Sequence, residues 1–324
     1  MNTKYIIYIA VAVAIVSIVS AAFVYIYYQG QAAESERIKA LQSLVDDKGY
    51  VTSLSAYPNR IISLAPSNTE ILFALGLGDK VVAVTSFCNY PYNFSAWVAA
   101  GNMTSVGDFT APNMEVIASL NPDLILATGG VQEKTVSTLR ELGYKVLVLD
   151  PTSVDGVFQN IKLVGKATGK NTEATSLVND LTSRIDAVTA KVANAASKPK
   201  VYYEVWYDTT SLWSAGSKAW QNELIEKAGG INIFADQQLD YFQSSAEAVI
   251  KRNPDVIVVP SSHGFEEPFW VSFDAIKARP AWDSISAVQN NKLYQIDGDL
   301  IARAGPRVAD TIETLAELFH PELF

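Results

Sequence analysis

The sequence contains few of the residues that build metal centres, disulfides and nucleophilic active sites. It has one cysteine, Cys88, and two histidines, His263 and His320, among its 324 residues. A single cysteine cannot form an intramolecular disulfide, and two histidines so far apart lack the spacing of zinc ligands. We therefore expect neither a disulfide bond nor a metal site.

Positive charge is also scarce. The chain has 25 lysines and arginines against 34 aspartates and glutamates, a formal net charge of −9, and no cluster of basic residues. Surfaces that bind nucleic acid need such clusters, so we expect no nucleic-acid partner. The sequence also lacks a Gly-x-Ser-x-Gly elbow and a phosphate-binding loop of the Walker type. We predict that the chain is not an enzyme and needs no cofactor.

One long uncharged run lies near the amino terminus. Residues 5–28 are 24 residues without a charge, with tyrosines at both ends, long enough for a helix to cross a hydrocarbon core of ~30 Å. We predict a retained membrane anchor. The alternative is a signal peptide cleaved near Ser20-Ala21-Ala22, although the apolar run continues past that site. Lys4 precedes the run, which places the bulk of the chain outside the cell membrane, where the sequons at Asn93 and Asn102 would fit.

The apolar pattern predicts a long helix in the middle of the chain, over residues 171–196. Asn171 can cap its start, Gly169 interrupts what precedes it and Pro199 ends it. Its apolar stripe recurs at spacings of three and four residues and consists of Val178, Leu181, Ile185, Val188 and Val192. At a rise of ~1.5 Å per residue this helix is roughly 35–40 Å long, about the width of a domain.

The two halves of the chain share a sequence pattern. Residues 113–126 and 245–258 each contain a capping residue, a glutamate two positions later, a short apolar helix, Asn-Pro-Asp and a buried strand. The two glutamates are Glu115 and Glu247. They either complement the helix dipole, an effect of ~0.3–1 kcal/mol, or present equivalent contacts to a two-fold partner.

Strands that alternate with helices predict an α/β fold with parallel-type sheets. We expect two lobes joined by the long helix and preceded by a transmembrane helix. The predicted segments are the anchor 1–28, a tether 29–50, an amino-terminal lobe 51–152, linking helices 153–198 and a carboxyl-terminal lobe 199–324. Loops at the carboxyl ends of the strands should line a cleft between the lobes.

Aromatic residues in the loops are the candidates for lining this cleft. Most aromatics are buried in cores, but flat rings beside polar residues suit a large, planar, partly apolar ligand. Arg303 and Arg307, beside the last helix, could pair with an anionic ligand, although a solvated arginine is the commoner outcome. The aromatic candidates are Phe87, Tyr90, Phe109, Trp213 and Tyr241.

Residues 60–72, Arg-Ile-Ile-Ser-Leu-Ala-Pro-Ser-Asn-Thr-Glu-Ile-Leu, with Cys-Asn-Tyr-Pro at 88–91, closely resemble the cobalamin-binding proteins of ABC importers. Those proteins belong to the helical-backbone, or class III, substrate-binding proteins, which also carry ferric siderophores and haem. The resemblance runs from about Asp46 to the carboxyl terminus. It includes both Asn-Pro-Asp turns, Gly216-Ser217 and Gly305-Pro306-Arg307.

The resemblance implies that the ligand is held between the lobes with limited closure. In the family, one glutamate on each lobe pairs with arginines of the membrane permease, and Glu115 and Glu247 match those positions. The family's pocket aromatics keep their aromatic character but change identity. In chain order they match Phe87, Phe109, Trp213 and Tyr241. The implied partners are a permease dimer and its ATPase subunits, with a membrane helix in place of the family's lipidated cysteine.

We therefore predict a membrane-anchored, extracytoplasmic substrate-binding protein of an ABC importer that captures cobalamin or a related corrinoid as its transported ligand. A ferric siderophore or haem is the alternative, and a siderophore is favoured if Arg303 and Arg307 point into the cleft. Two rivals come from other classes. A cell-surface enzyme would need a nucleophile beside a base, which the sequence does not reveal, and a sensor ectodomain would not need two matched glutamates.

Overall fold

The computed structural model describes residues 17–30, 35–36, 38–39, 41–207, 211–261 and 272–324. These residues form an α/β protein with one main sheet in each half of the chain and a long helix between the halves. The two-lobe architecture expected from the alternating pattern is therefore present. Lobe one denotes the sheet and helices before the long helix, and lobe two denotes those after it.

The sheet of lobe one is parallel throughout. Its strands are β3 (Ile61–Ser63), β4 (Val81–Val84), β5 (Thr104–Ser105), β6 (Leu124–Ala127) and β7 (Val146–Val148). They lie in the order β5-β4-β3-β6-β7. Residues of β3, β6 and β7 are buried on both faces, as the continuous apolar runs predict for a sheet covered by helices on two sides.

Four helices cover this sheet: α1 (Pro66–Ala74), α2 (Phe94–Ala99), α3 (Met114–Ser119) and α4 (Glu133–Glu141). The richness of residues 88–112 in aromatics, Asn, Pro and Gly predicts a loop, but this segment contains α2 and the short strand β5. The side chain of Asn93 caps this helix by accepting a hydrogen bond from the backbone N–H of Ala96 at 3.0 Å. The helix is only six residues long, too short for helical periodicity to be visible in the sequence.

Lobe one begins earlier than residue 51. A small antiparallel pair, β1 (Leu44–Val45) and β2 (Val51–Thr52), precedes the main sheet. Leu41 and Leu44 are almost fully buried in the main core, so the carboxyl-terminal part of the expected tether packs as part of the lobe. Burying these two leucine side chains against the lobe is favourable, because their apolar surface is removed from water. A solvated tether would leave that surface exposed.

The long helix is α6 (Asn171–Val192), preceded by α5 (Val154–Thr168). The predicted stripe is confirmed, since all five of its residues are buried, together with Ala174. Two details differ: Lys170 rather than Asn171 is the capping position, and the helix ends at Val192 rather than Ala196. Gly169 ends α5 in the left-handed conformation at φ 77°, where a Cβ would approach the ring of Tyr57 to 2.8 Å.

Lobe two has a mixed sheet. Its strands are β8 (Lys200–Tyr207), β9 (Leu212–Ala215), β10 (Ile231–Asn232), β11 (Tyr241–Ser244), β12 (Val256–Pro260) and β13 (Leu293–Ile296). Strands β8, β12 and β13 are parallel, and β10 also pairs in parallel with β8. Strands β9 and β11 add an antiparallel edge. The sequence predicts a loop at 208–216, but Leu212–Ala215 form strand β9, and residues 208–210 lie outside the described part of the chain.

The helices of lobe two are α7 (Trp220–Lys227), α8 (Ala246–Arg252), α9 (Phe273–Lys277), α10 (Ser286–Gln289), α11 (Gly298–Ala302) and α12 (Val308–Phe319). Helix α12 packs along α6, where Arg184 pairs with Glu313 at 2.9 Å. One apolar cluster runs from lobe one through α5, α6 and α12 into lobe two. The lobes therefore share a core.

The internal repeat is confirmed in detail. Asn121 and Asn253 both take the left-handed conformation, at φ 44° and 46°, and each precedes Pro-Asp. The carboxylate of Asp123 accepts the backbone N–H of Arg60 at 2.9 Å, and that of Asp255 accepts the backbone N–H of Lys200 at 2.9 Å. Each aspartate thus fixes the start of the neighbouring strand in its own lobe.

The predicted anchor falls partly outside the described residues, which begin at residue 17. Residues 17–30 are helical and exposed. Within the described residues, none of the helices combines the length and the apolar character that crossing a bilayer requires.

Candidate functional site

A cleft of about 780 Å³ lies between the two lobes. Its lobe-one wall follows the carboxyl ends of parallel strands: residues 65–67 come after β3, Phe87 after β4, Thr128 after β6 and residues 149–152 after β7. This is where an open α/β sheet presents its loops to a ligand. The volume falls in the range of small-molecule sites.

Two aromatic rings form the lobe-one wall. Phe87 and Phe109 meet edge to face, with ring centroids 6.3 Å apart. The buried side chain of Gln132 holds the loop that carries Phe109, since its Nε2 donates to the carbonyl of Phe109 and to that of Leu64, both at 2.7 Å. The ring of Phe109 is therefore carried by a loop that Gln132 fixes to the end of β3.

Trp220 and Tyr241 form the facing wall on lobe two. The indole of Trp220 is buried, and its Nε1 donates to the carbonyl of Ile301 at 3.1 Å. The phenol of Tyr241 donates to Oε1 of Gln221 at 2.8 Å. The turn before Trp220 is tied to the segment before Tyr241, because the backbone N–H of Gly216 donates to the carbonyl of Asp240 at 2.8 Å.

Only a glycine fits at position 216. A Cβ there would lie 2.3 Å from the carbonyl oxygen of Leu239 and 2.6 Å from that of Gln237. The Gly216-Ser217 turn therefore brings two backbone segments together, and these carry the two aromatic residues of the lobe-two wall.

Trp220 is a site residue that the sequence reasoning did not select. The signal was its place just after the Gly216-Ser217 turn, at the start of a helix that follows strand β9. Trp213 was selected instead, but it lies within β9 opposite Gln243 and Trp206, and it does not line the cleft. Antiparallel pairing of β9 could not be read from local sequence.

The five other predicted ligand-binding residues divide into four that line the cleft and one that does not. Phe87, Phe109, Tyr241 and Arg303 line the cleft. Tyr90 does not, because its ring packs under the guanidinium of Arg307, whose Cζ lies 4.3 Å from the ring centroid.

Arg303 and Arg307 are held by a carboxylate of the opposite lobe. Glu70, buried in α1, accepts from Nε and Nη2 of Arg307 at 2.9 and 2.8 Å and from Nη1 of Arg303 at 3.2 Å. Burial alone would lower the pKa of Arg307, but the hydrogen bonds and charge of Glu70 outweigh it and raise that pKa. Both guanidinium groups are therefore already paired with a carboxylate, and Arg303 lines the cleft.

A second polar contact joins the lobes beside this ion pair. Asn89 of lobe one accepts from Nη1 of Arg303 at 2.7 Å and donates to the carboxylate of Asp299 at 2.6 Å. Asp299 also pairs with Nη2 of Arg303 at 2.8 Å. The floor of the cleft is thus closed by a charged network that spans both lobes.

Glu115 and Glu247 occupy equivalent places outside the cleft. Each is exposed and lies in the first turn of a short helix, α3 or α8, whose cap is the side chain of Asn113 or Ser245. The pKa of Glu247 is lowered by its own backbone N–H and by Ser245. Both carboxylates are therefore available at the surface, one on each lobe.

Metal-binding side chains do not gather in the described ranges, where no group of three or more His, Cys, Asp or Glu side chains could hold an ion. His320 is buried and its Nε2 lies 3.3 Å from the carbonyl of Gly229. His263 lies outside the described residues.

Residues 61–300 match the sequence profile of a protein family described as "Periplasmic binding protein". The chain belongs to this family. The match covers the main sheets of both lobes, the long helix and the residues that line the cleft up to Asp299.

Relatives in the family bind different ligands. The chain is 32% identical over 308 residues, 91% of its length and 93% of the relative's, to an uncharacterised ABC transporter substrate-binding lipoprotein of Bacillus subtilis. It is 30% identical over 272 residues, 83% of the chain and 93% of the relative, to the vitamin B12-binding protein of Vibrio vulnificus. Among solved structures, the periplasmic haem-binding protein of Roseiflexus sp. RS-1 is 26% identical with a TM-score of 0.68, covering 82% of this chain and 99% of that one.

Proposed function

We propose that this protein is the extracytoplasmic substrate-binding protein of an ABC importer, and that its cleft captures cobalamin or a related corrinoid. The observation that carries the proposal is the aromatic-walled interlobe cleft of about 780 Å³ in a member of the periplasmic binding protein family. A corrin is a wide, mostly apolar ring with amide fringes. Burial against Phe87, Phe109, Trp220 and Tyr241 contributes ~25 cal/mol per Å² of apolar area.

The polar rim of the cleft supports the same ligand. Thr110, Thr128 and Thr152 lie among the lining residues and offer hydroxyl groups to amide fringes. Hydrogen bonds to such fringes orient the ligand, since an amide buried without a partner costs binding free energy. The shared core of the two lobes favours a preformed cleft, which loses little ordering entropy on binding.

Haem is the second candidate. The similar structure from Roseiflexus binds haem, and Tyr241 supplies a lining phenol, a group that can ligate haem iron. In this structure that phenol is engaged with Gln221, which would have to release it. A ferric siderophore that relies on arginine is less favoured, because Glu70 already holds Arg303 and Arg307.

Glu115 and Glu247 are proposed to dock the two-fold permease, and residues 1–28 to anchor the protein in the membrane. The relative from Bacillus is a lipoprotein, but the one cysteine here, Cys88, is buried in lobe one and hydrogen-bonded with Thr69. A hydrophobic amino-terminal segment is therefore the better candidate for attachment.

A competition experiment tests the ligand. The full chain, purified in detergent, is incubated with an equimolar mixture of cyanocobalamin, haem and a ferric trihydroxamate, desalted, and examined by absorption spectroscopy, because the three chromophores absorb differently. We expect the corrinoid to be retained. Retention of haem alone would transfer the assignment to the second candidate, and retention of no chromophore would contradict both.

A further inference from the structure

The charges around the cleft define the class of ligand that it can take. Four aspartates line it: Asp108, Asp150, Asp240 and Asp299. Lys218 and Arg303 are the cationic lining residues among the described part of the chain. The net charge that a ligand meets in the cleft depends on which of these side chains already form ion pairs within the protein.

Two of the four aspartates are neutralised by a cationic side chain and two are not. Asp150 is bridged by Lys48 at 2.7 Å, and Asp299 by Arg303 at 2.8 Å. Within the described ranges, Asp108 and Asp240 take part in no such ion pair. Asp108 instead accepts from the backbone N–H and the hydroxyl of Thr110, at 2.7 and 2.6 Å. These hydrogen bonds lower the pKa of Asp108, so its carboxylate is ionised at neutral pH.

The cleft has less unpaired positive charge than unpaired negative charge. The guanidinium of Arg303 is shared by Glu70, Asp299 and Asn89, so it is not free to meet a second anion. Among the described residues that line the cleft, Lys218 is then the one cation without an ion pair. Two lining carboxylates, those of Asp108 and Asp240, also have no ion pair, so the unpaired negative charges outnumber the unpaired positive charge. Asp108 lies on lobe one and Asp240 on lobe two, so a ligand between the lobes meets negative charge from both walls.

We propose that this cleft accepts a neutral or cationic chelate and discriminates against one with net negative charge, with Asp108 and Asp240 as the residues that set this preference. The inference rests on the proposed function, since it assumes that the cleft is the ligand site. It separates the candidate ligands by chemistry: cyanocobalamin is neutral, whereas haem carries ionised propionates and a ferric tricatecholate is an anion.

A matched pair of ligands tests the proposal. Cyanocobalamin and its monocarboxylic acid, in which one side-chain amide is hydrolysed, share the ring and differ by one negative charge. Calorimetric titration of the full chain should give weaker binding of the acid by about fivefold at low salt, the upper end of the range measured for contacts between solvent-exposed charges. The ratio should shrink as salt is raised, because exposed carboxylates are screened.

Variants assign the effect to residues. Asp108→Asn/Asp240→Asn keeps the shape of both side chains and removes both charges, so the affinity ratio of acid to neutral ligand should move towards one. Asp186→Asn, on the exposed face of α6, is the matched control and should keep the wild-type ratio.

Three results would overturn the proposal. If the acid binds the wild type as tightly as the neutral corrinoid, or if the ratio is unchanged in the double variant, the charge inference fails while the proposed function stands. If neither corrinoid binds, the proposed ligand is wrong and this inference fails with it.

Discussion

At the scale of single residues, Glu70 is a buried charged group at the contact between the lobes. Its carboxylate is buried and meets two guanidinium groups from the other half of the chain. A buried ion pair is costly to break from one side, because the remaining charges stay desolvated without a counter-charge. The three residues are far apart in sequence, so no local pattern could have paired them.

We expect Glu70→Gln to lower the free energy of unfolding by about 3 kcal/mol, since Arg303 and Arg307 would lose their buried counter-charge. Chemical denaturation of the variant and the wild type measures this. Glu317→Gln removes the charge of an exposed glutamate on α12 and should change stability by less than about 0.5 kcal/mol. Equal midpoints for the two variants would show that the pairing with Glu70 contributes nothing.

Trp220 and Trp213 form a natural comparison for the aromatic wall. Trp220 lines the cleft, whereas Trp213 lies in the antiparallel hairpin away from it. Trp220→Ala should weaken corrinoid binding by roughly 1–3 kcal/mol, the range for a lost aromatic anchor. Trp213→Ala should weaken it by much less. Fluorescence or calorimetric titration of both variants measures the two losses of affinity. A larger loss for Trp213→Ala than for Trp220→Ala would place the ligand against β9.

At the scale of elements, the sequence was most informative where a pattern was long. The stripe from Val178 to Val192 predicted α6, and the Asn-Pro-Asp turns predicted equivalent units in the two lobes, because both signals repeat over many residues. Helix α1 shows the opposite case. It buries Asn68, Thr69 and Glu70 beside apolar residues, so it has no amphipathic period, and its polar face is explained only by partners elsewhere in the chain.

The strands of lobe two show the same limit. Parallel pairing of β8, β12 and β13 follows from alternating strands and helices, but the β9–β11 edge depends on which segments meet in space. For the candidate site, Phe87 and Phe109 could be selected as loop aromatics, and Tyr241 as an aromatic residue among polar neighbours, although it begins strand β11. Trp220 could not be preferred to Trp213 without knowing the hairpin.

Helices α3 and α8 carry the proposed docking glutamates. Glu115→Ala/Glu247→Ala should abolish complex formation with the permease and uptake, while ligand binding by the isolated protein persists. Pull-down with the permease in detergent, together with a ligand titration, measures both. The matched control is Glu133→Ala/Glu173→Ala, two other exposed glutamates in first helical turns. If the docking variant still binds the permease, the glutamates serve only the helix dipoles, worth ~0.3–1 kcal/mol each.

At the scale of the whole molecule, the shared core explains how a cleft can stay open between two lobes. One apolar cluster contains residues of both lobes and of the helices α5, α6 and α12. The ion pairs of Glu70 with Arg303 and Arg307 add a second contact between the lobes. Such an arrangement resists large hinge motion, because opening would expose buried apolar area and desolvated charges. The lobes are therefore well placed to present Glu115 and Glu247 at a fixed separation.

The proposed attachment also belongs to this scale. We expect the membrane-extracted protein to keep its first residues, because the uncharged run from 5 to 28 continues past the candidate cleavage site. Amino-terminal sequencing of that protein, with its partition between membrane and soluble fractions, is the measurement. A mature chain beginning near Phe23 or Gln31 would rule out the retained anchor.

The most direct test of the central claim is a calorimetric titration of the full chain with cyanocobalamin. Ligand held between the lobes predicts one site per chain, with a dissociation constant in the micromolar range or below. Absence of binding at micromolar protein concentration, or several weak sites per chain, would contradict a corrinoid in the interlobe cleft.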